Sequence, residues 1–351
     1  MKGPIQIAIG IDKRGWHNKF ASALDRKMSE GYPCTYRRVN MLAHDWLEQL
    51  RGCELVVWKP GGMGPRSAGY IKEKIYFLQH ILHVFVVPNF ESIWHFESKI
   101  AQSYLFLHAG IRVPRTTASF DYDDAHRMLE SAELPLVFKL SEGAGSANVQ
   151  LIRSTEQARR RLDNTFCEAI WKQAREEHGS KTRTILYGLG QRWLAAKAWR
   201  TATRGIAQEE GLAHVYWQQF IPNNEKDLRI TVIGDRFAYG FWRKNRPNDF
   251  RASGSGLIEY DRPIPEGPLR YCLDLNRRFN FDSMCYDILF TREDFVLTEM
   301  SFGYLDVPLY KTPGHHVLSP DGQLSYVAGH VWPQELWIEW ALHRLESAGG
   351  A

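Results

Sequence analysis

The sequence predicts an α/β protein of two or three packed domains, and three observations carry that prediction. Residues 1–95 alternate strand-like and helix-like patterns, two later stretches read as antiparallel hairpins, and residues 155–213 between them read as helical. At 351 residues, 44% hydrophobic and 24% charged, the chain also exceeds the ~250 residues that one core usually serves.

Composition narrows the function. The net charge of +4 arises from 44 basic and 40 acidic residues that are well mixed, so no broad surface for nucleic acid is expected. Cys34, Cys53, Cys167, Cys272 and Cys285 are far apart and form no C-x-x-C pair, which suits reduced thiols rather than structural zinc. His315-His316 lacks the spacing of a zinc site, and no H-E-x-x-H occurs. Met1-Lys2-Gly3-Pro4 leads into a strand rather than a signal sequence, and no apolar run approaches the ~18 residues that span a bilayer. A cytoplasmic protein without a membrane partner is therefore expected.

Taken in order, IQIAIGI, a helix from Phe20 to Glu30, TYRRVNM, a short helix near Trp46, ELVVWKP, a helix from Ser67 to His80 and VFVVPN make a small parallel layer. The loop Lys59-Pro60-Gly61-Gly62-Met63-Gly64 follows a strand, where open α/β sheets place ligands, and is either an anion contact or a plain turn. Neither G-x-G-x-x-G nor G-x-x-x-x-G-K-[ST] occurs. From Glu91 a helix carries Lys99 and stops near Ala109-Gly110, ahead of Pro114. A strand from Thr116 to Phe120 and an acid-capped helix from Asp121 to Ala132 follow.

In LPLVFKLSEGAGSANVQLIRS, two β-rich runs, Leu136 to Leu140 and Val149 to Ile152, flank the small-residue loop Ser141 to Asn148. Such a tip either closes its amides over phosphates, with Lys139 neutralising charge, or is an ordinary turn. Thr155 to Ala213 reads as a helical insertion rich in Arg and Lys, with Trp171, Trp193 and Trp199 as core anchors. Its basic residues form solvated faces or a lid for an acidic substrate. VYWQQFIP and DLRITVIGDRFAYGFWRKN are strands, with a tight turn at Gly234-Asp235. Arg229, Arg243, Lys244, Arg246 and Arg251 lie close in sequence and suit several phosphate or carboxylate oxygens, or a solvated sheet face. A helix from Leu269 to Phe279 precedes the second hairpin, and a final helix, Gln334 to Leu345, packs through Leu336, Trp337, Trp340 and Leu345.

The second hairpin carries Asp287 and Glu299 on apolar strands around the turn Thr291 to Asp294. Centred on Glu293, that turn sets the two carboxylates face to face with Cβ atoms ~5 Å apart. A divalent cation between them would remove their repulsion, and Ser301 on the same face as Glu299 would add a third hard oxygen. A four-residue turn without a bulge would instead send them to opposite faces, as solvated charges.

In order and spacing these motifs resemble the ATP-grasp superfamily, most closely its branch of ribosomal-protein glutamate ligases, with D-alanine:D-alanine ligases more distant. The resemblance covers Glu91 to Gly303. It implies a Rossmann-like pre-ATP-grasp domain (1–95), a central subdomain with glycine-rich loop and insertion (96–215), and a C-terminal subdomain with antiparallel sheet and metal site (216–351).

By the same resemblance ATP and Mg²⁺ or Mn²⁺ are the expected cofactors. Lys99, Lys139, Glu142, Gly143, Gly145 and Ser146 would bind phosphate, Gln218, Gln219, Phe220 and Ile221 would form the adenine hinge, and Asp227 would bind ribose. Asp287, Glu299 and Ser301 would hold metal, and Arg243 and Arg251 would face the transferred phosphate and substrate. Two departures stand out: Ser301 replaces the usual asparagine, and Cys285 stands where some of these ligases have an arginine. The implied reaction joins a small-molecule or peptide carboxylate to an amine, with a homodimer as the candidate assembly. A kinase for a polyol or sugar hydroxyl and a nucleotide-binding protein with little turnover are the alternatives.

Overall fold

Short runs of Ile, Leu and Val build the first layer, as the alternation requires: strands β1 (Ile5–Gly10), β2 (Cys34–Val39), β3 (Leu55–Val57) and β4 (Phe85–Val87) pair in parallel in the order β2-β1-β3-β4. Helices α1 (Trp16–Ser29), α2 (Trp46–Gln49) and α3 (Pro65–Tyr76) connect them, and α4 (Phe90–Ile93) follows. This computed structural model describes residues 3–60, 65–96, 98–139, 149–178 and 213–349. It divides into one unit of residues 1–97 with 223–351 and a second of residues 98–222.

The single helix expected from Glu91 to Gly110 is two. Asn89 caps α4, accepting from the Ser92 amide, and Ser98 caps α5 (Lys99–Ala109), accepting from the Ala101 amide. Each cap satisfies donors that a continuous helix would not leave open. Gly110, at φ 61°, ends α5 in the left-handed region where glycine carries no Cβ penalty.

The second unit is a four-stranded antiparallel sheet, β5 (Thr116–Ser119), β6 (Leu136–Lys139), β7 (Val149–Ile152) and β8 (Val215–Gln219), in the order β5-β8-β6-β7. Helix α6 (Tyr122–Glu130) and the start of α7 (Thr155–His178) cover one face. Leu136, Phe138, Val215 and Trp217 pack there on Leu129, Leu162 and Phe166. Alternation sends Lys139, Tyr216 and Gln218 to the other face. The tip residues Glu142, Gly143, Gly145 and Ser146, the insertion beyond His178 with Trp193 and Trp199, and Gly61 to Gly64 lie outside the described residues.

The first unit continues with β9 (Lys226–Ile233), β10 (Phe237–Lys244), β11 (Ile258–Glu259), α8 (Glu266–Arg278), β12 (Ser283–Phe290), β13 (Phe295–Ser301), α9 (Asp306–Tyr310), β14 (Gly314–Leu318), β15 (Leu324–Ala328) and α10 (Pro333–Gly349). Their antiparallel sheet runs β13-β12-β9-β10-β14-β15, with β11 on β10. Trp16 and Phe20 of α1 and Trp337 and Leu342 of α10 join Tyr239, Phe241 and the inner residues of β1 and β3 in one core. Among the described residues no helix is long and apolar enough to cross a membrane.

Candidate active site

The second unit supplies a lysine held by a neutral amide. Lys139 and Gln218 are both buried, and Lys139 donates from Nζ to Gln218 Oε1 at 2.5 Å. The Gln218 amide nitrogen donates to Thr116 Oγ1 at 2.9 Å and to Tyr216 Oη at 3.0 Å. All four side chains share the face opposite the helices, because the register pairs Thr116 with Gln218 and Lys139 with Tyr216. The stretch expected to form a hinge is partly paired within the sheet: Gln219 N donates to Arg115 O at 2.9 Å, and Phe220 N to Pro135 O at 3.2 Å. Ile221 follows the strand, and Lys99 stands half-buried in the first turn of α5.

The first unit supplies a charge cluster on one face of the larger sheet, in which Asp227, Arg243 and Asp287 are buried and Arg229 is half-buried. Cross-strand register places Asp227 opposite Arg243, Arg229 opposite Asp287, and Asp287 opposite Glu299. Arg243 Nε donates to Asp227 Oδ1 at 2.7 Å, and its Nη2 bonds Asp227 Oδ2. Arg229 grips Asp287 with two parallel bonds, Nε to Oδ1 and Nη2 to Oδ2, both 2.8 Å, and Arg243 Nη2 reaches Asp287 Oδ2 at 2.8 Å. Burial alone would raise the Asp287 carboxyl, but the two guanidiniums outweigh it and hold it far below the usual carboxylate range. Burial pushes Asp227 the other way, upward against the pull of Arg243.

The pairing of Asp287 with Glu299 depends on a bulge. The four-residue turn Thr291–Asp294 pairs Phe290 with Phe295 and Ile288 with Leu297, and the register then shifts by one between Ile288 and Asp287. Thr298 is the extra residue. Ser301, opposite Cys285, lies on the face of Glu299, and its hydroxyl accepts the Gly303 amide at 3.0 Å.

These residues fit a hard divalent cation in their chemistry. The facing carboxylate residues, with Cβ atoms ~5 Å apart, and a hydroxyl on the same face are hard oxygen donors of the kind such a cation takes. They do not make a closed cage. Among the described residues no cluster of three or more His, Cys, Asp or Glu could hold a metal, so phosphate and water would have to complete the shell, as Mg²⁺ commonly requires.

Three placements add detail that spacing alone does not give. Arg251 lies on the loop after β10, where Asp249 takes its guanidinium through Nε at 2.9 and 3.0 Å and Nη2 at 2.6 Å. Asp249 also lines a cavity of about 330 Å³ with Asn224, Lys226, Lys244 and Asn245. Lys59, which opens the loop expected either to contact an anion or to be a plain turn, is buried: its amine donates to the Phe302 carbonyl and lies over the rings of Phe302 and Tyr304 at 4.0 and 4.3 Å. Burial holds its pKa well below the ordinary value. The third is Arg229, one of several cations in its stretch of sequence and here the two-bond partner of Asp287. Its position two residues after Asp227 on one strand was the available signal.

No family model and no curated protein sequence matches the chain. Among solved structures, the D-alanine–D-alanine ligase of Bacillus anthracis complexed with ATP aligns at a TM-score of 0.56 and 11% identity, covering 99% of this chain and 100% of that one. The D-cycloserine synthetase DcsG aligns at 0.55 and 13% identity, over 97% and 99% of the two chains. The ATP-grasp ligase PsnB, complexed with minimal precursor, aligns at 0.52 and 12% identity, over 88% and 94%. These are likenesses of fold, and the fold they share with this chain is the ATP-grasp fold.

Proposed function

We propose that this protein is an ATP-dependent carboxylate–amine ligase that releases ADP and phosphate. The observation that carries the reading is the facing pair Asp287 and Glu299 beside Arg229 and Arg243 on an ATP-grasp fold. That combination meets the demands of phosphoryl transfer, which needs in-line positioning and neutralisation of charge more than covalent help. A structure of the same fold was solved with ATP.

In this reading a substrate carboxylate oxygen attacks the γ-phosphorus of ATP and ADP leaves. An amine then attacks the acyl carbon of the acylphosphate, and phosphate leaves as the nitrogen loses a proton. Lys99 and Lys139 bind phosphate oxygens together with Glu142, Gly143, Gly145 and Ser146. Gln218, Gln219, Phe220 and Ile221 line the base, and Asp227 takes the ribose. Asp287, Glu299 and Ser301 hold Mg²⁺ or Mn²⁺, which when bound neutralises the phosphate oxygens. Arg243 and Arg251 face the transferred group and the acid. Because Asp227 and Arg243 are paired, ribose binding and phosphate binding each draw on the same ion pair.

Hydroxylamine trapping tests the reaction. With ATP, Mg²⁺ and a panel of carboxylic acids, an acylphosphate is intercepted as a hydroxamate in step with ADP release. Phosphorylation of a polyol with no hydroxamate from any acid would replace the ligase by a kinase.

A further inference from the structure

Asp287 has both of its oxygens engaged. Oδ1 accepts from Arg229, and Oδ2 accepts from Arg229 and Arg243, all at 2.8 Å. Arg243 is the lesser holder, since its two-bond grip is on Asp227. Arg229 gives its whole fork to Asp287, its direct partner in the β9–β12 register. The four side chains Asp227, Arg229, Arg243 and Asp287 sum to zero charge. A bare cation approaching Asp287 would therefore meet net attraction only from Glu299 opposite and would have to break a bidentate, charge-assisted pair. A polyphosphate changes the balance, because a guanidinium fork suits phosphate oxygens as well as it suits a carboxylate.

We infer that Arg229 is a positioning residue that withholds Asp287 from a divalent cation until polyphosphate draws its guanidinium away, so that cation and nucleotide are taken up as a pair. The inference rests on the reading of Asp287 and Glu299 as metal ligands. It gives Arg229 a role apart from the groups that touch the reacting atoms. Glu299, opposite Asp287, then completes the pair for the cation when the fork leaves.

The test is Mn²⁺ binding to the full-length protein, read from the electron paramagnetic resonance of bound Mn²⁺ with and without a non-hydrolysable ATP analogue. Wild type is expected to bind Mn²⁺ saturably with the analogue and far more weakly without it. Arg229→Met leaves one net negative charge on the cluster and releases Asp287 Oδ1, so nucleotide-free Mn²⁺ affinity rises by about tenfold or more. A merely structural role would not produce this gain, since loosened packing does not create a cation site. Arg229→Lys keeps the charge without the fork and serves where the Met variant does not fold; it is expected to move the affinity the same way by a smaller factor.

Asp287→Asn separates the possible failures. If it loses bound Mn²⁺ in the presence of the analogue, yet neither Arg229 variant binds nucleotide-free Mn²⁺ better than wild type, the inference is wrong and the ligand assignment stands. If Asp287→Asn binds Mn²⁺ with the analogue as wild type does, the metal-ligand reading falls and takes the inference with it.

Discussion

Asp287 and Glu299 face each other across the β12–β13 hairpin because Thr298 is bulged out of register. The turn Thr291–Asp294 has the length that, continued regularly, would set Asp287 opposite Thr298 and send Glu299 to the far face. The bulge absorbs one residue, and Thr298 Oγ1 donates to the Asp287 carbonyl at 3.2 Å, tying the irregular step to the strand it serves. Bulges commonly re-aim a side chain beside an active site, and this one turns a hairpin of ordinary length into a paired-carboxylate platform.

The two carboxylates should nevertheless respond differently to neutralisation. Glu299→Gln is expected to lower single-turnover ADP release by roughly 10²-fold or more while nucleotide affinity changes only a few-fold, as for a group whose effect is concentrated in the transition state. Asp287→Asn should cost stability as well, about 2–4 kcal/mol, because it strips Arg229 of its carboxylate partner. Denaturant titration beside the kinetics checks both. Residual activity of Glu299→Gln equal to its residual binding would show that Glu299 is no metal ligand.

Local pattern made much of this site legible in advance. The parallel layer follows from alternation in residues 1–95, and both hairpins follow from β-rich runs around polar or glycine-rich turns. The facing of Asp287 and Glu299 was legible only as a condition, since nothing in Thr298-Glu299 marks a bulge as a glycine would. The grip of Arg229 on Asp287 joins β9 to β12 across 58 positions of sequence, and such pairing is settled by sheet order rather than by local spacing. The side chain of Gln218 was hidden for a similar reason. The hinge motif directs attention to its backbone, while its amide reaches residues of two other strands.

That amide leads to a prediction about charge. Gln218 accepts from the Lys139 ammonium through a neutral amide, a contact that adds no negative charge of its own. Gln218→Glu preserves the shape and supplies a carboxylate that competes with phosphate for the same ammonium. ATP affinity is expected to fall by about tenfold, ~1.4 kcal/mol, with adenosine affinity nearly unchanged. Isothermal titration with both ligands decides the matter: equal losses would assign Gln218 to the base and leave Lys139 without this holder.

His95 sets an acid limit on stability. Its ring is fully buried against Trp94 and Phe281, and among the described residues neither ring nitrogen has a hydrogen-bond partner. Burial, with a smaller contribution from Lys72, pushes its pKa down to about 3. An unfolded histidine titrates near ~6.5, so between there and about 3 the unfolded chain binds a proton that the folded chain refuses. Stability is therefore full above that window and falls with pH inside it, by up to ~1.4 kcal/mol per unit from this group. His95→Phe keeps an aromatic ring and removes the group, so its urea midpoint should decline less steeply below about pH 6 than that of wild type. Parallel declines would mean that His95 is no source of the acid sensitivity.

Gly234 is the turn at which conformational freedom and close approach are both required. It sits at φ 61° between β9 and β10, and a Cβ there would lie 2.4 Å from Cδ2 of Trp340. The indole has little room to yield, because its Nε1 donates to the buried Asp282 at 3.0 Å. Gly234 itself is pinned, its amide donating to Asp282 O at 2.7 Å and its carbonyl accepting from Asn276 at 2.6 Å. Gly31 supplies the control, with φ 91° and, among the described residues, nothing within 4 Å of a Cβ. Gly31→Ala should cost ~1 kcal/mol from backbone strain alone, whereas Gly234→Ala should cost roughly 2–4 kcal/mol by adding the clash with Trp340. Chemical denaturation of both variants isolates the second contribution by difference. Equal costs would show that the Trp340 indole shifts freely and that its bond to Asp282 does not fix the turn.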